Sequence, residues 1–179
     1  MKHLLRALVL LLVVATPLKA QDAEPISPSI EQLRHVIGTW DVATTFYRPD
    51  GTHSRAYDGV YAFEWVMENK VVKGMSTIPE FEMASGLLFY LRDSTDEIEM
   101  ASVGPDGQLW VMTGPQDSEI RETPVVDMPD GTTLKLRFTR FNVTPDRFES
   151  KMERSTDGGA TWVQGNHQVF VRRVAETES

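Results

Sequence analysis

The chemistry on offer in this sequence is recognition more than reaction. Arg55, Tyr57, Tyr61, Phe63 and Trp65 lie an even number of residues apart, so in an extended strand their side chains share one face. An arginine beneath aromatic rings suits an amphipathic acid: the guanidinium grips the carboxylate with two hydrogen bonds while apolar walls hold the rest of the molecule. Arg92 and Arg140 fall on later segments from which either can face that surface across a closed sheet. Asp58 and Glu64 fall on the opposite face from Tyr61, so a carboxylate-based active site sharing this lining is not expected. The competing reading is a hydrophobic core with the arginines at its rim, since aromatic side chains dominate cores.

No spacing assigns a catalytic residue or a metal ligand. There is no Gly-x-Ser-x-Gly elbow, phosphate loop, His-x-His pair or His-Glu-x-x-His helix. Asp93, Asp96, Glu97 and Glu99 gather around a turn but lack the glycine and spacing of a calcium loop, which reads as a solvated hairpin tip. His35 falls on a predicted helix and His53 after a turn, leaving His167 as the histidine placed to look inward.

Composition narrows the partners. The chain has 179 residues, with 18 Lys+Arg against 26 Asp+Glu, a formal charge of -8 and a pI near 5.0. A nucleic-acid partner needs a basic face, and an anionic membrane surface would repel this protein. The absence of cysteine excludes a disulfide framework, a thiolate zinc site, an iron–sulfur cluster and a cysteine nucleophile.

The first residues read as an address. Lys2, His3 and Arg6 precede an apolar run from Ala7 to Ala15, and Thr16 to Ala20 lead into a polar stretch, the order of a secretory signal peptide. The run is too short to span a bilayer, so after cleavage the chain is not expected to be membrane-spanning. Cleavage after Ala20 removes Lys2, Arg6 and Lys19 and no acid, taking the formal charge from -8 to -11. The expected organisation is a signal peptide over 1–20, a flexible segment over 21–28, a barrel domain over 29–174 and a polar tail over 175–179, in a periplasmic or secreted protein.

The elements that must position the aromatic face follow from periodicity. Ser29 can cap a helix over 29–37, with Gln32 reaching back in a capping box and Ile30, Leu33, Val36 and Ile37 on one stripe; Gly38 ends it. From Thr39 the period becomes two. Pro-Asp-Gly at 49–51, 105–107 and 129–131 repeats one turn device, in which proline presets φ, aspartate bonds nearby backbone and glycine takes the left-handed position. The intervening segments predict strands near 39–48, 54–67, 70–79, 85–92, 97–103, 108–113, 118–126, 132–143, 147–154 and 161–173. About ten antiparallel strands with one apolar face close best into an up-and-down barrel, which removes the edges and leaves room for packed side chains or one small ligand. An outer-membrane barrel fits less well, because Glu97, Glu99, Lys135, Arg137, Glu149 and Lys151 punctuate what would be the lipid face.

Gly38-Thr39-Trp40, after a short helix and opening the first strand, resembles the Gly-x-Trp signature of lipocalin and calycin barrels, in which the helix closes one end and the tryptophan packs over the base. With Asp41-Val42, Phe63-Glu64-Trp65 and the late Ser-x-Asp-Gly-Gly-x-Thr-Trp turn, the chain over roughly residues 30–174 resembles the bacterial lipocalin-like family catalogued as domain of unknown function 1579. The resemblance implies the barrel and carries no activity. Ser155 to Trp162 also resembles the Asp box of sialidase propellers, but a single copy implies a hairpin clip and no glycosidase. By position, His167 resembles the late histidine of nitrobindin-type haem barrels, although Asp41, Val42 and Ala43 depart from their Gly-x-Trp-x-Gly-x-Gly opening. The expected function is non-catalytic binding of a small hydrophobic or amphipathic molecule, without a cofactor. The alternatives are a haem binder using His167 and a protein-interaction scaffold of the cell envelope.

Overall fold

A computed structural model describes residues 28–174; the expected signal peptide, most of the segment after it and the polar tail lie outside the described residues. Helix α1 (Pro28–Val36) precedes β1 (Gly38–Tyr47), β2 (His53–Met67), β3 (Val71–Ile78), a 3-10 turn (Pro79–Phe81), β4 (Met83–Arg92), β5 (Glu97–Val103) and β6 (Leu109–Pro115). The chain continues through β7 (Ile120–Glu122), β8 (Val126–Asp127), β9 (Thr133–Thr144), β10 (Arg147–Ser155) and β11 (Val163–Arg172). β1 to β7 pair in sequence, β7 pairs with β9, and β9, β10 and β11 lead back to β1, so ten antiparallel strands close on themselves with β8 appended to β9. Among the described residues no helix is long and apolar enough to cross a membrane.

The turns form as their residues dictate. Asp50 and Asp130 each accept the amide and hydroxyl of the threonine two residues on, and Asp106 accepts the amide of Gln108. Asp157 and Ser155 tie the backbone of the β10–β11 turn through Gly159 and Thr161, while Trp162 packs under the Arg137 guanidinium at 4.1 Å. The expected strand over 118–126 is instead broken into β7 and β8. Pro124 has no N–H to give a ladder, and the chain keeps only a local link there, with Thr123 N donating to Leu136 O and Leu136 N to Thr123 Oγ1. The helix also starts a residue early, at Pro28, and the Gln32 side chain does not reach back along it but donates to Ser118 O and accepts from Arg121.

The core sits at the end that α1 plugs. Leu33 and Val36 pack with Trp40, Val42, Phe63, Val72, Phe148 and Phe170. Trp40 is fully buried, and its Nε1 donates to Val36 O at 2.7 Å. The Arg172 guanidinium lies 4.1 Å from the centroid of the Trp40 ring and donates to Ile37 O (2.6 Å) and His35 O (2.8 Å), satisfying carbonyls at the helix C-terminus that have no intrahelical partner. Gly38 is required at this junction: its φ is 118°, and a Cβ there would stand 2.9 Å from Arg172 Nη1.

Candidate functional site

Among the core side chains the barrel holds a cavity of about 130 Å3, partly open to solvent. Register places its walls. Phe63 of β2 lies opposite Gly74 of β3, Phe89 of β4 opposite Met100 of β5, and Phe148 of β10 opposite Phe170 of β11. The rings interlock: Phe148 stacks on Phe170 at 4.1 Å, Tyr61 meets Phe170 edge-on at 5.3 Å and Phe63 meets Phe89 at 5.6 Å. A polar belt crosses the barrel at the level of Tyr61. Gln168 Nε2 donates to Tyr61 Oη and Thr44 Oγ1, and Ser150 Oγ donates to Gln168 Oε1.

One corner of the cavity is charged. Arg140, 7 % exposed, makes a two-point pair with Glu119, Nε to Oε2 at 2.8 Å and Nη2 to Oε1 at 2.9 Å. Its Nη1 approaches His35 Nδ1 at 3.2 Å, while His35 Nε2 lies 2.7 Å from Thr144 O. A carbonyl only accepts and an arginine only donates, so this histidine is the neutral tautomer carrying its proton on Nε2. Burial lowers its pKa, and the neighbouring Arg140 and Arg172 lower it further against the opposing effect of the Thr144 carbonyl. Beside it, Arg121 of β7 is 5 % exposed and donates to Ser118 O (2.5 Å), Ile120 O (3.0 Å) and Gln32 Oε1 (2.6 Å). Burial pulls its pKa down to about 10.

Of the residues expected to form the site, Tyr61, Phe63 and Arg140 line the cavity together. Trp65 packs against the core nearby, outside the lining. Arg55 and Tyr57 are also outside the lining, in an aromatic group near the start of β2: the Arg55 guanidinium lies 5.0 Å from the Phe46 ring, and Tyr57 meets Phe81 edge-on at 5.4 Å. Arg92 is on the outer surface. Leu91 pairs with Ile98, which lines the cavity, so alternation turns Arg92 outward to Glu97 (3.5 Å) and Glu99 (3.2 Å). His167 faces outward for the same reason, because its neighbour Gln168 faces in. Its Nε2 contacts Glu149 Oε2 at 2.7 Å and its ring stacks on Phe141, so it cannot ligate anything held inside the barrel.

Arg121, Glu119 and Gln32 were not expected at the site. In Ser118-Glu119-Ile120-Arg121-Glu122, alternation read by hydrophobicity places Ile120 inside and Arg121 outside, and the chain does the reverse, with Ile120 42 % exposed. The signal available was weak: a lone apolar residue among charges in a segment too short to establish a period.

Fold and cavity together define a lipocalin-like closed barrel. The chain is similar to Rv2717c from M. tuberculosis, with a TM-score of 0.52 and 11% identity over 84% of this chain and 100% of that one. It is also similar to the S-type phycobiliprotein lyase CPES from Guillardia theta, with a TM-score of 0.51 and 11% identity over 82% of this chain and 93% of that one. Both likenesses are of fold. No protein-family model and no curated protein matches the sequence.

Proposed function

We propose that this protein is exported and binds a small hydrophobic or amphipathic molecule, without catalysis, inside the barrel, as a member of the lipocalin-like family catalogued as domain of unknown function 1579. The observation that carries the reading is an aromatic-walled cavity with a charged corner, lined by the helical plug and the polar belt. Binding pockets share that composition: mostly apolar walls with a few placed polar groups. A packed scaffold would place apolar side chains where this barrel buries Arg121 and Arg140 and turns Gln168 inward. Similarity to a barrel named as a phycobiliprotein lyase is consistent with a ligand-holding interior and specifies no ligand.

The test is native mass spectrometry of the protein exported by its own N-terminal segment. The expected result is a chain beginning after Ala20, with a co-purifying small molecule or with a thermal shift produced by compounds of the size of one aromatic ring. A barrel that is empty and unresponsive to all such compounds overturns the binding reading, and a chain retaining residues 1–20 overturns export.

A further inference from the structure

We infer that the ligand is a monocarboxylic acid whose apolar part is about one aromatic ring in size, and that Arg121 receives its carboxylate. The inference rests on the cavity being a binding site and says what the site selects.

The charge balance of the lining points to an anion. Its charged residues are Glu119, Arg121 and Arg140. Glu119 and Arg140 neutralise one another through two short bonds, and the neutral His35 faces that pair from the helix. Arg121 is left as a net single positive charge, nine-tenths buried, with no carboxylate within ion-pair distance among the described residues, and Glu119 acts on it only from farther off while bonded to Arg140. Its guanidinium donates to two backbone carbonyls and an amide oxygen, all neutral. Burying an unpaired charge is unfavourable unless a counter-charge arrives, and a bound carboxylate supplies it with the planar geometry a guanidinium matches.

The strand is built to put this charge inside. Turning β7 over would bury Ile120 and solvate Arg121, the arrangement that stability alone favours. Gly114 on β6 permits the observed one: a Cβ there would stand 2.0 Å from Ile120 O and 3.3 Å from Arg121 Cδ. Gln32 then ties the guanidinium to the helical plug, so the charge is held at the cavity wall.

Volume sets the rest of the ligand. At about 130 Å3 the cavity is close to the engineered apolar cavity of roughly 150 Å3 that takes benzene. A ring or a short alkyl chain bearing one carboxylate fits within it, and a long acyl chain would have to protrude through the open side.

The test compares benzoate with benzamide, its neutral counterpart of the same shape, by calorimetry on the purified protein near pH 7. Benzoate is expected to bind about ten- to a hundredfold more tightly, the factor a hydrogen bond to a charged group supplies. Arg121→Met should abolish that preference, and Arg92→Gln, on the outer surface, should keep it. The Arg121 Nε–H resonance of the native protein should shift with benzoate and not with benzamide, which decides the matter even if Arg121→Met fails to fold. Equal affinity for the two compounds, a preference that survives in a folded Arg121→Met, or an unmoved Nε–H resonance overturns the assignment and leaves the cavity as a site for neutral molecules. Binding of neither compound overturns the assignment, and the reading on which it rests falls with it only if the exported protein is also empty and unresponsive to the other compounds of that size.

Discussion

Replacing Arg172 with methionine keeps the aliphatic stem and removes the groups that hold the plug to the barrel. The guanidinium donates to Ile37 O at 2.6 Å, His35 O at 2.8 Å and Pro145 O at 3.1 Å, and lies 4.1 Å from the Trp40 ring centroid. Its contact with Asp146 adds little, since that carboxylate is 81 % exposed and water screens it. Each of the two shorter bonds is worth about 1.5–3 kcal/mol as a charge-assisted hydrogen bond, and the ring contact about 0.5–2 kcal/mol. These contributions share one side chain and do not add fully, so the expected loss is about 3–4 kcal/mol. With a urea dependence of about 2 kcal/mol per molar, the unfolding midpoint falls by roughly 1.5–2 M. Equilibrium urea unfolding followed by circular dichroism measures the shift, and Arg172→Lys should lie between, since an ammonium retains charge but cannot span two carbonyls and cover a ring. A loss below about 1 kcal/mol for Arg172→Met would mean that water replaces these bonds at little cost, and that apolar packing of Leu33 and Val36 alone holds the helix.

Three further perturbations bear on the charged corner and the wall. Glu119→Gln leaves Arg140 buried without its carboxylate; because Glu119 itself is 37 % exposed, a destabilisation of only about 1–3 kcal/mol is expected in urea titrations, together with tighter benzoate binding now that a second guanidinium is free. His35 has a folded pKa below its ordinary 6.5, so the folded state binds fewer protons than the unfolded one, and the stability this confers is full above about pH 6.5 and lost as pH falls from there through the lower folded pKa. Midpoints measured between about pH 7.5 and 5.5 should therefore fall, and His35→Gln should flatten the slope. The depressed carboxyl of Glu153, where bonds from Arg137 and Lys151 outweigh the upward push of burial, acts separately, losing its contribution only as pH drops below about 4.5. Gly74→Ala would set a Cβ 2.4 Å from Phe63 Cδ1 and drive that ring into the cavity, at about 1–3 kcal/mol, with a loss of benzamide as well as benzoate binding in the same calorimetry.

The barrel was legible because each local signal agreed with the next. Three Pro-Asp-Gly turns and the Asp157-Gly158-Gly159 clip fixed where strands stop, and alternation from Tyr57 to Trp65 gave the inner face of β2 correctly. Residues in long strands inherit such certainty, which is why Tyr61 and Phe63 are found in the cavity wall. Arg92 went astray, and the direction of His167 stayed open, because a single residue carries no parity of its own: each needed the neighbour's face, and only Leu91 opposite Ile98 and Gln168 beside Tyr61 supply it. Arg121 is a different case. Its strand has three residues, its neighbours are charged, and the rule that places apolar groups inside is broken there. The register that fixes this face is invisible in so short a segment: Arg121 lies opposite Phe138, which lines the cavity, and opposite residues of a ladder share a face. A chain that agrees with hydrophobic patterning along its long strands and departs from it at one buried arginine on a cavity wall has given up stability at that point. A ligand that brings the missing negative charge returns it, so the departure that hid the residue from sequence reasoning is also the strongest reason to assign it a function.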